Sequence, residues 1–410
     1  MRTRVVITGL GIVSPVGIGR EAFWTSLTNG RTGIKPITLF DTSKVECKTA
    51  GEITDLDVKE ALPGIKTGML YRTAQLSCVA AKLGLDDAGI ELTAETKPRI
   101  GVMIGNTLGV MRTYSEFYRT ALTGGYIAAS PMDFANIIAI TVAGYVSIVF
   151  GVSNFNSVIS SGELSGLDAI NYGASFIRNG KADMVLAGGV ESLSLETYLL
   201  HYLPKFLSGS TAGQREFCAP FGRGRNGFVL GEAGAVVLLE DYEHAVARGA
   251  RIYAELRGYG ATFDGHAFFS STPASKGLTR AISLASKRSG LSPEDIDYVS
   301  AGANSSVAGD QSEADAIRNV FGSTTDRLHI SAIKSMIGES LSASTGVQVC
   351  ASALALHEGV IPPTINSEEQ DSDCNIPLFS ESREVKIKTA LICAGAPSGL
   401  AGALVLSTPQ

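Results

Sequence analysis

What the chain has little of narrows its function first. Its 410 residues include six cysteines: Cys47, Cys78, Cys218, Cys350, Cys374 and Cys393. No two stand in CxxC spacing, and no Cys/His group reads as a metal site. Scattered single thiols in a chain of this size fit a reducing compartment. Charge is sparse, with 18% charged residues, and 34 Lys+Arg stand against 40 Asp+Glu. No basic run suggests nucleic acid, and no acidic tail suggests a disordered region. The most apolar stretch, Ile137 to Phe150, falls short of the roughly 20 residues that a membrane-spanning helix needs. The opening MRTRVVITGLGIVSPVG lacks a small-residue cleavage site and reads as a strand running into a turn, not as a signal peptide. The expectation is a soluble, cytoplasmic protein with no metal and no nucleic-acid or membrane partner.

What the chain has is apolar bulk: 45% hydrophobic residues and 46 glycines. That is enough for a large core, and the length suggests two or three domains. Short β-branched runs alternate with Ala-rich helical stretches. The pattern predicts strands over Arg4–Thr8, Arg99–Ile104, Ala182–Ala187 and Ala233–Leu239, and a helix over Ala74–Leu85. Buried strands separated by helices indicate an α/β protein. Two segments look like copies of one unit. Asn156–Ser161 leads to a small-residue helix from about Glu163 to Arg178, and His329–Lys334 leads to another from about Glu339 to His357. This echo implies two similar halves, 1–248 and 249–410, divided just before the strand Ile252–Leu256.

Gly9-Leu10-Gly11-Ile12-Val13-Ser14 has the outline of a dinucleotide fingerprint, but Ser14 replaces the third glycine and Pro15 and Gly17 break any following helix. It is expected to be a structural turn. Asp310, Glu313 and Asp315 lack the ligand ladder of a calcium loop and read as structural carboxylates. More telling are three segments taken together. Ser161-Gly162-Glu163-Leu164-Ser165-Gly166 is a sharp strand-to-helix turn. Arg225 to Gly234 is a Gly-rich turn entering a strand. Lys334-Ser335-Met336-Ile337-Gly338-Glu339 is a second strand-to-helix turn.

In this order, with Val5 to Gly11, Ala187 to Glu191, Glu243 to Ala250 and Ala403 to Leu406, these segments resemble the β-ketoacyl synthases of fatty-acid and polyketide synthesis. The resemblance covers almost the whole chain. It implies a thiolase-like fold: two halves with mixed five-stranded sheets in an αβαβα stack. In the family's active enzymes a cysteine accepts the acyl chain, two histidines assist decarboxylation and a lysine organises the pocket. A thiolate at a helix N-terminus is a strong nucleophile at neutral pH, and imidazoles can donate to the developing enolate. Here the cysteine position falls on Glu163 and the histidine positions on Gly302 and Glu339. Lys334 remains. The family's gating loop reads Cys393-Ala394-Gly395-Ala396-Pro397-Ser398-Gly399, without its phenylalanines.

No catalytic group is therefore expected. Glu163 should fill the old pocket, held by helix N-terminal amides and Lys334. If Glu163 and Glu339 lie close together, one carboxyl should be protonated. The nearest resemblance is to the chain-length factor, or ketosynthase β subunit, of type II polyketide synthases, which pairs with an active ketosynthase as a heterodimer. That resemblance implies no cofactor, an acyl carrier protein whose phosphopantetheine arm reaches the partner subunit, and a tunnel at the interface. Glu163 stands where such factors usually carry glutamine. Tunnel candidates are Met111, Tyr114 and Tyr118, which share one face of a helix after Gly105-Asn106-Thr107, with Phe117, Phe134 and Ile138. An ordinary core stripe would show the same spacing. Two other readings stay open: a thioester-processing enzyme using Glu163 or Glu339, and a subunit that decarboxylates malonyl groups on the carrier protein.

Overall fold

The computed structural model describes residues 3–265 and 275–409. Five strands build the first half: β1 (Val5–Ser14), β2 (Ile100–Gly105), β3 (Asn156–Ile159), β4 (Met184–Glu191) and β5 (Ala233–Asp241). They lie in the order β3-β2-β4-β5-β1. Five more build the second: β6 (Ala254–Phe263), β7 (Tyr298–Ser300), β8 (His329–Ser331), β9 (Thr389–Gly395) and β10 (Leu400–Ser407), in the order β8-β7-β9-β10-β6. In each half two parallel pairings are followed by two antiparallel ones. The two groups of five are fused. Val6 faces Glu255 and Ile7 faces Ala254, so β1 and β6 join them into one continuous mixed sheet.

The helices complete the layers. Those used below are α1 (Arg72–Asp87), α2 (Met111–Gly124), α3 (Pro131–Asn136), α4 (Thr141–Phe150), α5 (Ser165–Arg178), α6 (Lys276–Ser289), α7 (Val307–Phe321) and α8 (Ser344–Glu358). α1 covers β1 and β5 on one outer side, and α6 covers β6 and β10 on the other. α5 and α8 pack against each other between the two halves. α8 touches sheet on both sides, so residues 344–356 are all buried. A helix with no solvent face must be apolar or small all round, which explains its run of Ala, Ser, Gly, Thr and Val.

The Gly9–Ser14 segment departs from expectation. It is not a turn but the second half of β1, and the chain reverses only after Ser14, where Gly17–Ile18 pairs back. A Cβ on Gly9 would sit 2.2 Å from Gly84 O, and one on Gly11 would sit 1.8 Å from Ala80 O. The glycines are there because the backbone of α1 lies directly on the strand. They are a packing requirement, not a bend.

Candidate functional site

The end of β3 and the end of β8 carry the two turns that the sequence singled out. After β3 the chain reverses through Gly162, whose φ of +61° favours glycine. Ser165 Oγ accepts from Ser161 N at 2.9 Å and donates to Gly162 O at 2.6 Å. Thr107 Oγ1 lies 3.0 Å from Gly162 O, tying the turn to the loop that enters α2. Glu163 sits half-buried at the tip, before α5 begins at Ser165.

Glu339 follows Gly338, another left-handed residue, at φ +76°. Its backbone is pinned on both sides by the Gly-rich turn: Glu339 N donates to Val229 O at 2.7 Å, and Gly231 N donates to Glu339 O at 2.9 Å. Its buried carboxylate is saturated. Oε2 accepts from Lys334 Nζ and Asn304 Nδ2, both at 2.8 Å. Oε1 accepts from Leu341 N at 2.9 Å and Ser344 Oγ at 2.6 Å. Burial would push this carboxyl up, but the Lys334 ammonium and these hydrogen bonds outweigh it and hold the carboxyl below its ordinary value.

The two acids are therefore unlike. Lys334 pairs with Glu339, not with Glu163 as the sequence suggested; its other bond, at 2.8 Å, goes to Gly302 O. Glu163 is raised by burial, which outweighs the lowering hydrogen bond of its own amide; the negative charge of Glu339 adds to the rise and Lys334 opposes it more weakly. Of the two, Glu163 is the carboxyl that holds its proton more tightly.

Gly302 leaves no room for a replacement side chain. A Cβ there would lie 2.7 Å from Cys393 O and 3.2 Å from Ala394 Cα. Gly302 N donates to Glu313 Oε1 at 2.8 Å, and burial pushes that carboxyl up to about 8. Asp310 accepts from Phe221 N at 2.8 Å and Asn304 N at 3.0 Å, and Asp315 pairs with Arg318 at 2.6 Å. Asp310 and Glu313 brace the loop beside Gly302, while Asp315 pairs within its own helix, so all three are structural carboxylates as expected. A cavity of about 340 Å³ opens beside Gly302, bounded by Phe206, Phe228, Leu278 and Pro397. The former gating loop is a tight hairpin tip between β9 and β10, closed by Ala396 N to Leu400 O at 2.8 Å. Neither Glu163 nor Glu339 lines this cavity.

The candidate tunnel residues gather elsewhere. None of the residues of α2 is buried, so the core-stripe alternative fails. Tyr114 and Tyr118 are 44% exposed, Phe134 54% and Ile138 47%. Tyr114 and Tyr118 have ring centroids 4.5 Å apart, and Phe117 lies 5.5 Å from Tyr118 and 5.9 Å from Phe134. One aromatic cluster thus stands on the surface, and half-buried Met111 begins the same helix. The apolar run to Phe150 divides: α4 buries Val142, Ala143, Val146 and Phe150, while Ile148 faces out.

The family model described as "Beta-ketoacyl synthase, N-terminal domain" matches residues 2–245, and "Beta-ketoacyl synthase, C-terminal domain" matches residues 253–368. The chain belongs to the β-ketoacyl synthase family. It is 35% identical over 408 residues, 99% of each chain, to a 3-oxoacyl-[acyl-carrier-protein] synthase 2 of Coxiella burnetii. It is 34% identical to the tetracenomycin polyketide synthase ketoacyl synthase alpha subunit of Streptomyces glaucescens, over 99% of this chain and 97% of that one. Among solved structures, the ishigamide ketosynthase/chain length factor is similar throughout, at 30% identity, TM-score 0.92 and 100% of both chains. A type II polyketide synthase acyl-carrier protein in complex with its ketosynthase bound to the hexaketide contains a chain 29% identical, with TM-score 0.90 and 100% of both chains covered. These neighbours share the thiolase-like fold.

For a member of this family, positions 163, 302 and 339 carry neither a thiol nor an imidazole. A carboxyl at 163 is a poor acceptor for an acyl group, and an anhydride formed there would hydrolyse. Glu339 is poorly placed to act as a base, since both its oxygens already accept two hydrogen bonds each and taking a proton would break at least one of them. Sequence reading missed Asn304 and Ser344 as partners of Glu339. Only their places next to Gly302 and Glu339 in the chain hinted at them. The model has no helix long and apolar enough to cross a membrane, and no group of His, Cys, Asp and Glu able to hold a metal, among the described residues.

Proposed function

We propose that this chain is a non-condensing chain-length factor that pairs with an active ketosynthase in type II polyketide biosynthesis. The observation that carries the reading is the Lys334–Glu339 lock, set between a turn bearing Glu163 and a glycine with no space for a histidine. The pocket is built to be stable without the three side chains that condensation requires. The likeness to a ketosynthase/chain length factor supports the same reading, although the sequence relatives above are named as synthases.

In this reading the aromatic cluster of α2 meets the partner, and Met111, Tyr114, Phe117, Tyr118, Phe134 and Ile138 line and cap the tunnel into which the chain grows. The carrier protein delivers its arm to the partner, and this chain needs no cofactor. The test is coexpression with a ketosynthase bearing cysteine and two histidines. The pair should copurify and make product, and Cys→Ala in the partner should abolish it. Product formed by this chain alone, lost on Glu163→Ala, would instead favour a thioester-processing enzyme.

A further inference from the structure

We propose that Glu191 is a positioning residue of the tunnel: with Ser342 it ties the segment behind Glu339 to the loop that starts α2, so the locked pocket fixes where the tunnel wall stands. This rests on the reading above, in which α2 bounds the tunnel. Glu191 ends β4 and is 1% exposed. Its Oε1 accepts from Leu108 N at 3.0 Å, and its Oε2 accepts from Ser342 Oγ at 2.6 Å and Thr107 N at 3.4 Å. Thr107 and Leu108 belong to the short loop between β2 and α2, and Met111, the first tunnel candidate, opens the helix just beyond them. Ser342 stands between Leu341 and Ser344, which both donate to Glu339 Oε1. One buried carboxyl therefore joins the neighbours of the Lys334–Glu339 pair to the first turn of α2.

The joint is stiff because backbone meets backbone around it. A Cβ on Gly189 or Gly166 would run into Ser342 O, and one on Gly105 would run into the carbonyl of Ser165. Residues 341–343 thus lie directly on β4 and on the start of α5, with no side chain between them to absorb a shift. Val190 O repeats the bridge, accepting from Asn106 Nδ2 at 2.7 Å and from Ser342 Oγ at 3.0 Å. The other ties of the loop lead elsewhere. Asn106 N donates to Ile159 O at 3.0 Å, and Thr73 Oγ1 donates to Gly109 O at 2.5 Å. Neither supplies an acceptor for the amides of Thr107 and Leu108, which lose theirs if the Glu191 carboxyl is removed. A supporting shell of this kind holds a site more precisely than the lining side chains alone.

The test compares Glu191→Leu, Ser342→Ala and Glu191→Gln in the full chain, alone and with its ketosynthase partner. Glutamine keeps a carbonyl oxygen for Leu108 N and an amide beside Ser342 Oγ, whereas leucine keeps neither. In the isolated chain, amide hydrogen exchange from Leu108 to Tyr114 should speed up about tenfold in Glu191→Leu and about twofold to tenfold in Ser342→Ala. Glu191→Gln should restore it. In the pair, Glu191→Leu and Ser342→Ala should add products longer than any that wild type makes, and Glu191→Gln should return the wild-type lengths. A brace with no bearing on the tunnel would lower the melting temperature and leave the product lengths unchanged, and that result overturns the inference. Unchanged exchange from Leu108 to Tyr114 in Ser342→Ala overturns it even where Glu191→Leu does not fold. A chain that never pairs counts against the proposed function, while the exchange rates of the isolated chain still decide whether Glu191 and Ser342 hold α2.

Discussion

At the scale of single residues, the account rests on which of two acids one ammonium holds: Lys334 is bonded to Glu339. Removing one member of a buried, hydrogen-bonded ion pair strands the other charge, at a cost of about 3–5 kcal/mol. Lys334→Met should therefore lower unfolding stability by about that much in urea titration, and adding Glu339→Leu should restore a large part of it. pH acts on other buried acids. Burial pushes Asp310 up to about 6, Glu191 to about 7 and Glu313 to about 8. Each is raised above its unfolded value, so the stability it contributes is complete at low pH and lost as pH rises through those values. Glu339 is lowered, so its contribution is present above the unfolded value and lost as pH falls through the folded one. The melting temperature should fall from about pH 4, where the unfolded carboxyls ionise, to about pH 8, and Glu313→Gln should flatten that slope. Sequence reading identified all four positions Glu163, Gly302, Lys334 and Glu339. It misplaced the lysine's partner, because that choice depends on backbone that Val229 and Gly231 position from another segment.

At the scale of elements, close approach explains what local pattern could not. The GxG in β1 suggested a bend because the neighbours of a glycine in sequence are all that a motif shows. Its cause lies some 70 residues on, in the backbone of α1. Gly11→Ala should force that helix off the strand and destabilise the chain by at least about 1–3 kcal/mol, as overpacking does. A chemical denaturation curve would measure this. Helix α2 behaves oppositely. Its spacing was legible, but spacing alone could not separate a core stripe from an exposed one; the exposure of Tyr114 and Tyr118 decides it. Tyr118→Ala should leave the melting temperature of the isolated chain nearly unchanged. In the pair it should lengthen the product, read by mass spectrometry. Unchanged products across Met111, Tyr114 and Tyr118 variants would remove these residues from the tunnel.

At the scale of the molecule, the echo of two strand–turn–helix units led to an expectation of two similar halves, whereas the strand order repeated in each is a structural finding. The fusion of the two sheets through β1 and β6 was not legible in the sequence, since only two residue pairs make it. An exposed apolar surface runs from the end of α2 into the segment after it. Leu122 is 84% exposed, Tyr126 84% and Ile127 85%. Large exposed patches of this kind mark interaction surfaces. The chain alone should self-associate in sedimentation, and a ketosynthase partner should convert it to a defined pair.

The most direct test of the central claim is intact-mass analysis after incubation with a labelled acyl-carrier thioester and malonyl-carrier protein. The account predicts that the acyl mass appears on the partner ketosynthase and never on this chain, alone or paired. An acyl group attached to this chain and then extended by malonate would contradict it.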